Sequence, residues 1–364
     1  MTSDPGLAGW LQLTLTPGLG AAAIRGLLSQ FGLPENVIAA RRAELARYAS
    51  EEALKALDSD AVARLVERAL AWLEQPGHAV VTLSDAGYPK LLLETGDPPP
   101  LLYCHGRLDL LNRPSIAIVG SRNATAQGTG SAEQFARSFS AAGLTIVSGL
   151  AQGIDAAAHR GGLSAAGSTI AVLGTGVDNI YPRTNTVLAE EIAAGGLLLS
   201  EFPLGSKALA HHFPRRNRVI SGLALGCLVV EAAFASGSLI TARCAAEQGR
   251  EVFAVPGSIH SPLSKGCHAL IKAGAKLAES ADDVLSELAA FHRSGSATAR
   301  PPSGAAAPVA DEPLLACMGF DPVDVDSLCN RSGLPAERIS AELLRLELAG
   351  RIAALPGGLY QRIN

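Results

Sequence analysis

From residue 79 onward, short apolar runs alternate with longer helical stretches, and this alternation leaves few folds open to the chain. Each run is rich in Val, Ile and Leu, so both faces of the strand it predicts are apolar. Such a pattern is typical of a parallel sheet that is covered by helices on both faces. The predicted strands cover residues 80–83, 115–119, 145–147, 169–173, 196–199, 227–230 and 252–255.

The segments between these runs carry helical spacing. The predicted helices cover residues 130–142, 153–166, 186–194, 214–222, 239–249 and 268–273. Composition agrees, because 48% hydrophobic residues with only 4% aromatic residues make the apolar surface mostly aliphatic. We therefore expect an α/β fold with a doubly wound, mostly parallel sheet.

The chain of 364 residues is long enough for more than one domain. Residues 1–78 predict a small helical domain, SAM-like or helix-hairpin-helix-like, in which residues 17–20 form either a DNA-binding hairpin or a plain turn. Residues 79–291 hold the predicted sheet. The Ser, Ala, Pro and Gly of residues 292–308 predict a linker. Residues 309–364 predict a helix at 323–329, a second helix at 335–349 and a hairpin formed by 351–355 and 359–362, which is the order of a winged helix.

Charge and cysteine content exclude several classes of protein. With a formal net charge of -4, the chain cannot hold nucleic acid by bulk charge, so any nucleic-acid site needs a local basic cluster. The six cysteines lie far apart without a CxxC pair, which predicts reduced thiols and no metal site. Neither a signal peptide nor a membrane-spanning apolar run is present, so we expect a cytoplasmic protein.

Two glycine-containing loops at strand ends predict phosphate binding, because ligands of doubly wound sheets bind beyond the carboxyl ends of the strands. Gly120, Ser121 and Arg122 offer a close backbone approach, a hydroxyl group and a planar fork of donors. Gly149 and Gly153 precede a helix, whose first N–H groups are free for an anion. A capped helix start with a solvent-facing Arg is the alternative interpretation of the first loop.

The third loop, with Gly174 and Gly176, suggests a dinucleotide site only at first sight. Asn179 stands where the dinucleotide fingerprint needs its third Gly, and no P-loop occurs in the chain, so we expect no cofactor. Gly174 and Gly176, together with Asn185, which follows this loop, are included among the candidate binding residues.

The basic cluster that the acidic total requires lies at residues 213–218. Phe213 offers a surface on which a base can stack, and Arg215, Asn217 and Arg218 offer donors for phosphate oxygens. A solvated basic helix start remains the alternative interpretation.

Further polar residues at strand ends divide into anion-binding and structural groups. Ser238, Thr241 and Lys265 are predicted to contact an anion. Asp155 and His159 lie four residues apart on one helix face, so we expect a local pair that stabilises the helix and has no catalytic role.

Six strings in this order resemble the DNA-processing protein A family (DprA, also called Smf). The resemblance covers about residues 80 to 290, and the flanking units fit the three-part layout of the family. It implies a Rossmann-like central domain between the helical and the winged-helix-like domains. The strings are IAIVGSR, SGLAQGIDAAAH, VLGTGVDNIYPRTN, FPRRNRVISGL, ASGSLITAR and VFAVPG.

The family resemblance implies a function in DNA handling. It implies a protein that binds single-stranded DNA, protects incoming DNA and loads the RecA recombinase onto it during natural transformation and recombination. It also implies a homodimer formed through the Rossmann-like domain, with no catalytic residue. By this analogy the residues on the DNA are Arg122, Phe213, Arg215, Asn217 and Arg218.

Two other functions remain open at this point. Phosphoribohydrolases of the related superfamily carry a Glu in a Gly-rich string, but Cys244 stands at the corresponding position here, which weighs against an enzyme. A small-nucleotide sensor would use the same phosphate-binding loops, and nucleotide titration distinguishes it from a strand binder.

Overall fold

A nine-stranded sheet forms the centre of the computed structural model, which describes residues 5–293, 313–318, 323–355 and 357–362. The strands occur in the spatial order β1-β2-β6-β5-β4-β3-β7-β8-β9 once they are numbered along the chain. They are β1 (His78–Thr82), β2 (Leu101–Gly106), β3 (Ser115–Val119), β4 (Thr145–Ser148), β5 (Thr169–Val172), β6 (Leu197–Ser200), β7 (Gly226–Val229), β8 (Glu251–Ala254) and β9 (Lys276–Leu277).

Six helices at the amino terminus precede the sheet. They are α1 (Pro5–Leu15), α2 (Ala21–Phe31), α3 (Pro34–Ala39), α4 (Arg42–Leu45), α5 (Glu51–Leu57) and α6 (Asp60–Leu73). Trp10, Leu11 and Leu15 of α1 pack in one apolar cluster with Tyr103 and Leu198 of the sheet. These helices therefore share a core with the sheet.

Helices cover both faces of the sheet, as the two-sided apolar strands predict. Those between and after the strands are α7 (Lys90–Leu93), α8 (Ala126–Ala141), α9 (Ile154–Leu163), α10 (Thr186–Gly195), α11 (His212–Leu223), α12 (Ser238–Glu247), α13 (Lys265–Lys272) and α14 (Ala281–Arg293), with 3-10 turns at Leu108–Asn112, Arg183–Asn185 and Pro262–Ser264. Ala117 of β3 packs towards Val219 of α11, whereas the neighbouring Ile116 packs towards Phe139 of α8. Successive residues of the central strand are thus buried on opposite faces.

The order of the strands reverses at β3. This strand pairs in parallel with β4 on one side, where Ile116 lies opposite Ile146, and with β7 on the other, where Ile116 lies opposite Gly226. The loops that follow β3 and β7 therefore leave the sheet in different directions and open a crevice at its carboxyl edge.

The predicted α/β class and mostly parallel sheet are confirmed, but the sequence prediction missed strand β2. This strand pairs antiparallel with both β1 and β6, where Tyr103 lies opposite Val80 and Ser200. It begins directly after three consecutive prolines, Pro98 to Pro100, and ends in Cys104, His105 and Gly106. The apolar run is therefore short, and the pattern of the buried parallel strands is lost.

The described carboxyl-terminal residues form a winged helix with its own apolar core. Its elements are α15 (Pro313–Met318), β10 (Val323–Asp324), α16 (Val325–Ser332), α17 (Ala336–Leu348), β11 (Ile352–Leu355) and β12 (Leu359–Arg362). Leu315, Leu328 and Leu343 are buried together in this unit. The helix predicted at 323–329 is wrong at its start, because Asp324 is extended and its side chain accepts a hydrogen bond from the Ser327 N–H at 2.7 Å, capping α16.

The predicted linker of residues 292–308 begins inside a helix, since α14 extends to Arg293. The remaining residues of this linker, 294–308, lie outside the described part of the chain. We keep the division into 1–78, 79–291, 292–308 and 309–364 as a proposal. In the part of the chain that the structure describes, no helix combines the length and the apolar character required to cross a membrane.

Candidate nucleic-acid interface

A cavity of about 440 Å³ opens in the crevice at the carboxyl edge of the sheet, where the strand order reverses. Its walls come from the loops after β3, β4 and β7 and from the start of α11. About half of the predicted binding residues line this cavity, namely Gly120, Ser121, Arg122, Phe213, Asn217, Ser238 and Thr241. Gly149 lines a smaller cavity beside it.

Arg122 supplies an exposed positive charge at the site. Its side chain is exposed, and within the described residues it forms neither a hydrogen bond nor an ion pair. The guanidinium carbon lies 5.7 Å from the centre of the Phe213 ring, which is a cation–π distance. A free guanidinium beside an aromatic face can bind a phosphate while a base stacks on the ring.

Arg216 is a second cation of the site, and the sequence analysis missed it. Its side chain is only 5% exposed, lines both cavities and donates from Nη1 to the Val172 carbonyl at 2.8 Å. Burial lowers the pKa of Arg216 to about 10, and the charge of Asp155 opposes this shift, so the guanidinium stays protonated at neutral pH.

A sequence signal for Arg216 does exist. The residue falls on the apolar face of α11 with Val219, Ile220 and Leu223, at helical spacing of three, four and seven. An Arg on a buried face is costly without a partner, so its position alone marks it as a functional candidate.

Glycines beside the cavity make room for its side chains. A Cβ atom on Gly149 would overlap the guanidinium of Arg216. One on Gly174 would lie 2.9 Å from the ring of Phe213. These two glycines therefore allow Arg216 and Phe213 to reach the site. For Gly149, this role differs from the predicted release of backbone N–H groups for an anion.

The turn at residues 149–151 is held from several sides. Leu150 has a φ of 57°, a left-handed conformation that is rare for a side chain of this kind. Asp155 Oδ2 accepts hydrogen bonds from the N–H groups of Gly149 at 3.1 Å and Ala151 at 3.4 Å. Asn185 donates from Nδ2 to the Leu150 carbonyl at 2.9 Å. The predicted binding residue Asn185 thus contacts the protein's own backbone.

The predicted local pair of Asp155 and His159 is corrected by these contacts. His159 Nε2 accepts a hydrogen bond from the Leu150 N–H at 3.2 Å, so each of the two side chains holds the same turn. The physical reason is that a residue in the left-handed region leaves its N–H pointing inward, where it needs a buried acceptor.

His159 is held in one neutral form. Because Nε2 accepts from Leu150, the proton sits on Nδ1, which lies 2.8 Å from Thr169 Oγ1. Burial, with smaller contributions from Arg216 and Arg160, lowers the pKa of His159 to about 3. Burial also raises the pKa of Asp155, against the opposing charge of Arg216.

Glu231, which the sequence analysis also missed, fixes the loop that carries Arg122. Its carboxylate accepts from the Thr125 N–H at 2.9 Å and from the Thr125 hydroxyl at 2.6 Å. The hydroxyl oxygen of Thr125 in turn caps α8 by accepting from the Gly128 N–H at 2.9 Å. The end of β7 and the loop after β3 are thereby connected.

Arg218 and Arg215 share a buried acidic partner. Arg218 is 15% exposed and pairs with Glu201, whose side chain is 4% exposed, and also with Asp97 at 3.2 Å. Arg215 is 52% exposed and lies 3.3 Å from Glu201. Burial raises the pKa of Glu201, and the two guanidinium groups oppose this shift. Arg218 is therefore occupied within the protein, whereas half of Arg215 faces solvent.

The other predicted residues lie outside the larger cavity. Gly153 has a φ of 74°, and a Cβ there would overlap the Ser121 carbonyl oxygen, so this glycine supports the first loop. Gly176 lies against Asp178 and Pro203, where its N–H donates to the Ser206 carbonyl at 3.1 Å. Lys265 donates to the Ile259 carbonyl at 2.5 Å.

Two family models match the chain, one over the domain with the large sheet and one over the winged helix. Residues 79–289 match the family model described as DNA recombination-mediator protein A, which covers more than half of the chain, and residues 298–358 match the DprA winged helix domain. The chain belongs to this family. Its resemblance to the DprA and Smf proteins is thereby confirmed.

Individual relatives support the assignment. Protein Smf of Escherichia coli is 45% identical over 306 residues, which cover 82% of this chain and 81% of the relative. The X-ray structure of DNA processing protein A from Streptococcus pneumoniae has a TM-score of 0.68 and 40% identity, covering 79% of this chain and 99% of that one. DNA processing protein A of Helicobacter pylori, described for its single-stranded DNA binding mode, has a TM-score of 0.53 and 31% identity, covering 58% and 96%.

Proposed function

We propose that this chain binds single-stranded DNA in the cavity at the carboxyl edge of the sheet and does so without chemical turnover. One observation carries the proposal: the exposed and unpaired Arg122 lies 5.7 Å from the Phe213 ring at the mouth of that cavity, within the described residues. This pairing suits a strand with unpaired bases, because Arg122 can bind a phosphate while a neighbouring base stacks on the Phe213 ring. The Helicobacter pylori relative is described as binding single-stranded DNA, which supports the proposal.

The residues of the proposed site divide into those that contact the strand and those that position the site. Arg122, Phe213, Asn217, Ser238 and Thr241 contact the strand, with Arg216 supplying a buried positive charge behind them. Arg215 contributes its solvent-facing charge. The predicted residues that bind within the protein instead position the site, and these are Gly153, Gly174, Gly176, Asn185, Arg218 and Lys265.

We further propose that the bound strand, in the cytoplasm, is protected and passed to the RecA recombinase in transformation and recombination. The family description, a recombination mediator, supports this partner. A homodimer through the Rossmann-like domain completes the proposal. Strand β9 has an open edge in the sheet, and Leu277 on it is 45% exposed, which suits pairing with a second copy.

Fluorescence anisotropy of a labelled oligo-dT strand, measured over a range of salt concentrations, tests the proposed site. The R122A variant should bind more weakly, and the slope of log affinity against log salt should fall by about 0.7, the value of one lost phosphate contact on a single strand. The matched control is R137A, since Arg137 is 61% exposed, lies on α8 and pairs with Glu133. R137A should bind as the unchanged chain does.

Two results would contradict the proposal. One is an unchanged chain that binds duplex as tightly as single strands, because Phe213 offers nothing to a base that stays paired. The other is a chain that ignores DNA but binds a mononucleotide, which would indicate a small-nucleotide sensor. The recombinase step is tested by RecA nucleation on a strand covered with single-strand binding protein, and the dimer by sedimentation equilibrium.

A further inference from the structure

A second cavity adjoins the one described above. Its volume is about 80 Å³, and it shares Arg122, Ala151, Phe213 and Arg216 with the larger cavity. The two are therefore neighbours divided by a common wall, in which Arg122 is the free cation among the described residues.

Tyr181 forms the outer wall of this smaller cavity together with Pro182 and Gln152. Its side chain is 48% exposed, and its ring centre lies 5.8 Å from that of Phe213 with an angle of 47° between the planes. An aromatic residue placed for core packing would be buried, whereas here about half of the surface faces solvent. The exposed face is available to a planar partner.

The chemistry of the smaller cavity favours a nucleobase. It is lined by the small residues Gly149 and Ala151 and by two aromatic residues, Tyr181 and Phe213. It is too small to enclose a whole nucleotide, so its ligand must reach it from the neighbouring cavity. A DNA strand meets this requirement. One nucleotide occupies the larger cavity, the linking phosphate lies at Arg122, and the next base points towards Tyr181.

We propose that Tyr181 and the smaller cavity form a second subsite, which stacks the base next to the nucleotide held in the larger cavity, with Arg122 on the phosphate between them. The inference rests on the proposed function of the site. It makes two linked nucleotides the smallest ligand that fills both cavities. It also excludes duplex, since a base stacked on Tyr181 cannot remain in a double helix.

The test measures affinity for a dT mononucleotide, a dT dinucleotide and a longer oligo-dT by competition against a labelled strand. Y181A should bind the longer strand about 5-fold to 100-fold more weakly, which is the range for one lost base–aromatic stack. Y181F keeps the ring and should bind within about twofold of the unchanged chain. V187A is the matched control, because Val187 is 67% exposed nearby and lines neither cavity.

A second measurement separates stacking from a general loss of structure. The dT dinucleotide is compared with one in which one sugar carries no base. The unchanged chain should lose affinity on removal of that base, and Y181A should lose almost none, because the stacking partner is already absent.

Several results would overturn the inference. If the unchanged chain binds strands but Y181A binds them equally well, the subsite does not exist and the proposed function stands. The same holds if a mononucleotide binds as tightly as the dinucleotide. If the unchanged chain binds no strand at all, the proposed function and the subsite fall together.

Discussion

Gly149 leaves space for the Arg216 side chain, because any side chain at position 149 would occupy the volume of the guanidinium. A methyl group there would overlap the guanidinium, which is 5% exposed and has little room to move. We expect G149A to displace Arg216 and to weaken oligo-dT binding about tenfold or more, since a hydrogen bond to a charged group contributes about 1.5–3 kcal/mol. Unfolding in urea should show a loss of about 1–3 kcal/mol from the overpacking.

The control for this substitution is G87A. Nothing lies within 4 Å of a Cβ built on Gly87, so the added methyl group meets open space. Its stability should stay within about 0.5 kcal/mol of the unchanged chain, and its DNA binding should not change. Equal binding by G149A and the unchanged chain would remove Arg216 from the site.

His159 makes the stability of the fold depend on pH in a defined direction. Its pKa is about 3 in the folded chain, against the ordinary 6.5, so the unfolded chain binds more protons between these values. The stabilisation is complete above pH 6.5 and is lost as the pH falls. We expect the unchanged chain to lose up to about 1.4 kcal/mol per pH unit more than H159Q over this window.

Urea unfolding at several pH values between 4.5 and 7.5 measures this difference for the unchanged chain and H159Q. H260Q, in which the exposed His260 is replaced, controls for the removal of a histidine. Parallel stability curves for the unchanged chain and H159Q would show that His159 does not carry the proton difference.

At the residue scale, the sequence predicts which side chains lie near the carboxyl edge of the sheet, but not which atoms they contact. Arg122 and Phe213 both line the cavity, because a loop after a strand and a helix start face that edge of the sheet. Asn185 and Arg218 are polar residues in comparable positions of the sequence. In the structure, however, Asn185 binds the backbone of Leu150 and Arg218 binds the carboxylate of Glu201. Those partners are remote in the chain, so no local spacing reveals them.

Helix α11 is anchored by a buried ion pair, which sets its orientation at the site. R218M removes the positive charge beside Glu201, whose Oε1 atom has no hydrogen-bond partner among the residues that the structure describes. Only the half-exposed Arg215 is then left beside this buried carboxylate, so we expect urea unfolding at pH 7 to show a loss of up to about 3 kcal/mol. The R113M control breaks a half-exposed surface pair with Asp109 and should cost about 1 kcal/mol or less.

A double variant separates the pair from the packing of the side chain. Adding E201Q to R218M removes the stranded charge and should recover part of the lost stability. If the double variant is less stable than R218M alone, the loss came from the packing of Arg218 and the ion pair does not anchor the helix.

At the element scale, burial on both faces decides what the sequence can predict. Strands β3 to β7 are buried at every residue, as at Ile116 to Val119, so the apolar signal is continuous. Strand β2 is buried at Leu101 to Cys104 but turns polar at its end. Its antiparallel orientation depends on its neighbours β1 and β6, so the apolar residues of β2 alone cannot predict it.

The whole molecule has one shared core and one separate core. Tyr103 and Leu198 of the sheet are covered by α1, and removal of residues 1–74 would expose them to water. At about 1.5–3 kcal/mol for each of these two side chains, we expect this truncation to lose about 3–6 kcal/mol, as measured by thermal unfolding. The amino-terminal helices would then belong to the folding unit that carries the proposed DNA site.

Truncation at the other end is the matched comparison. The described winged helix buries Leu315, Leu328 and Leu343 within itself, so a chain that ends at Arg293 keeps the core of the sheet. Its melting temperature should stay close to that of the full chain. Equal damage by the two truncations would contradict the distinction between a shared and a separate core.

The position of β3 in the sheet also determines when the site comes into existence. The strand ends at Val119, but its second neighbour, β7, begins only at Gly226, and Glu231 behind it holds the loop of Arg122. At about 5–20 residues per second, a ribosome takes roughly 5–20 s to deliver this missing half. A nascent chain therefore has no assembled site to offer, and it can engage DNA only once its central domain has been synthesised.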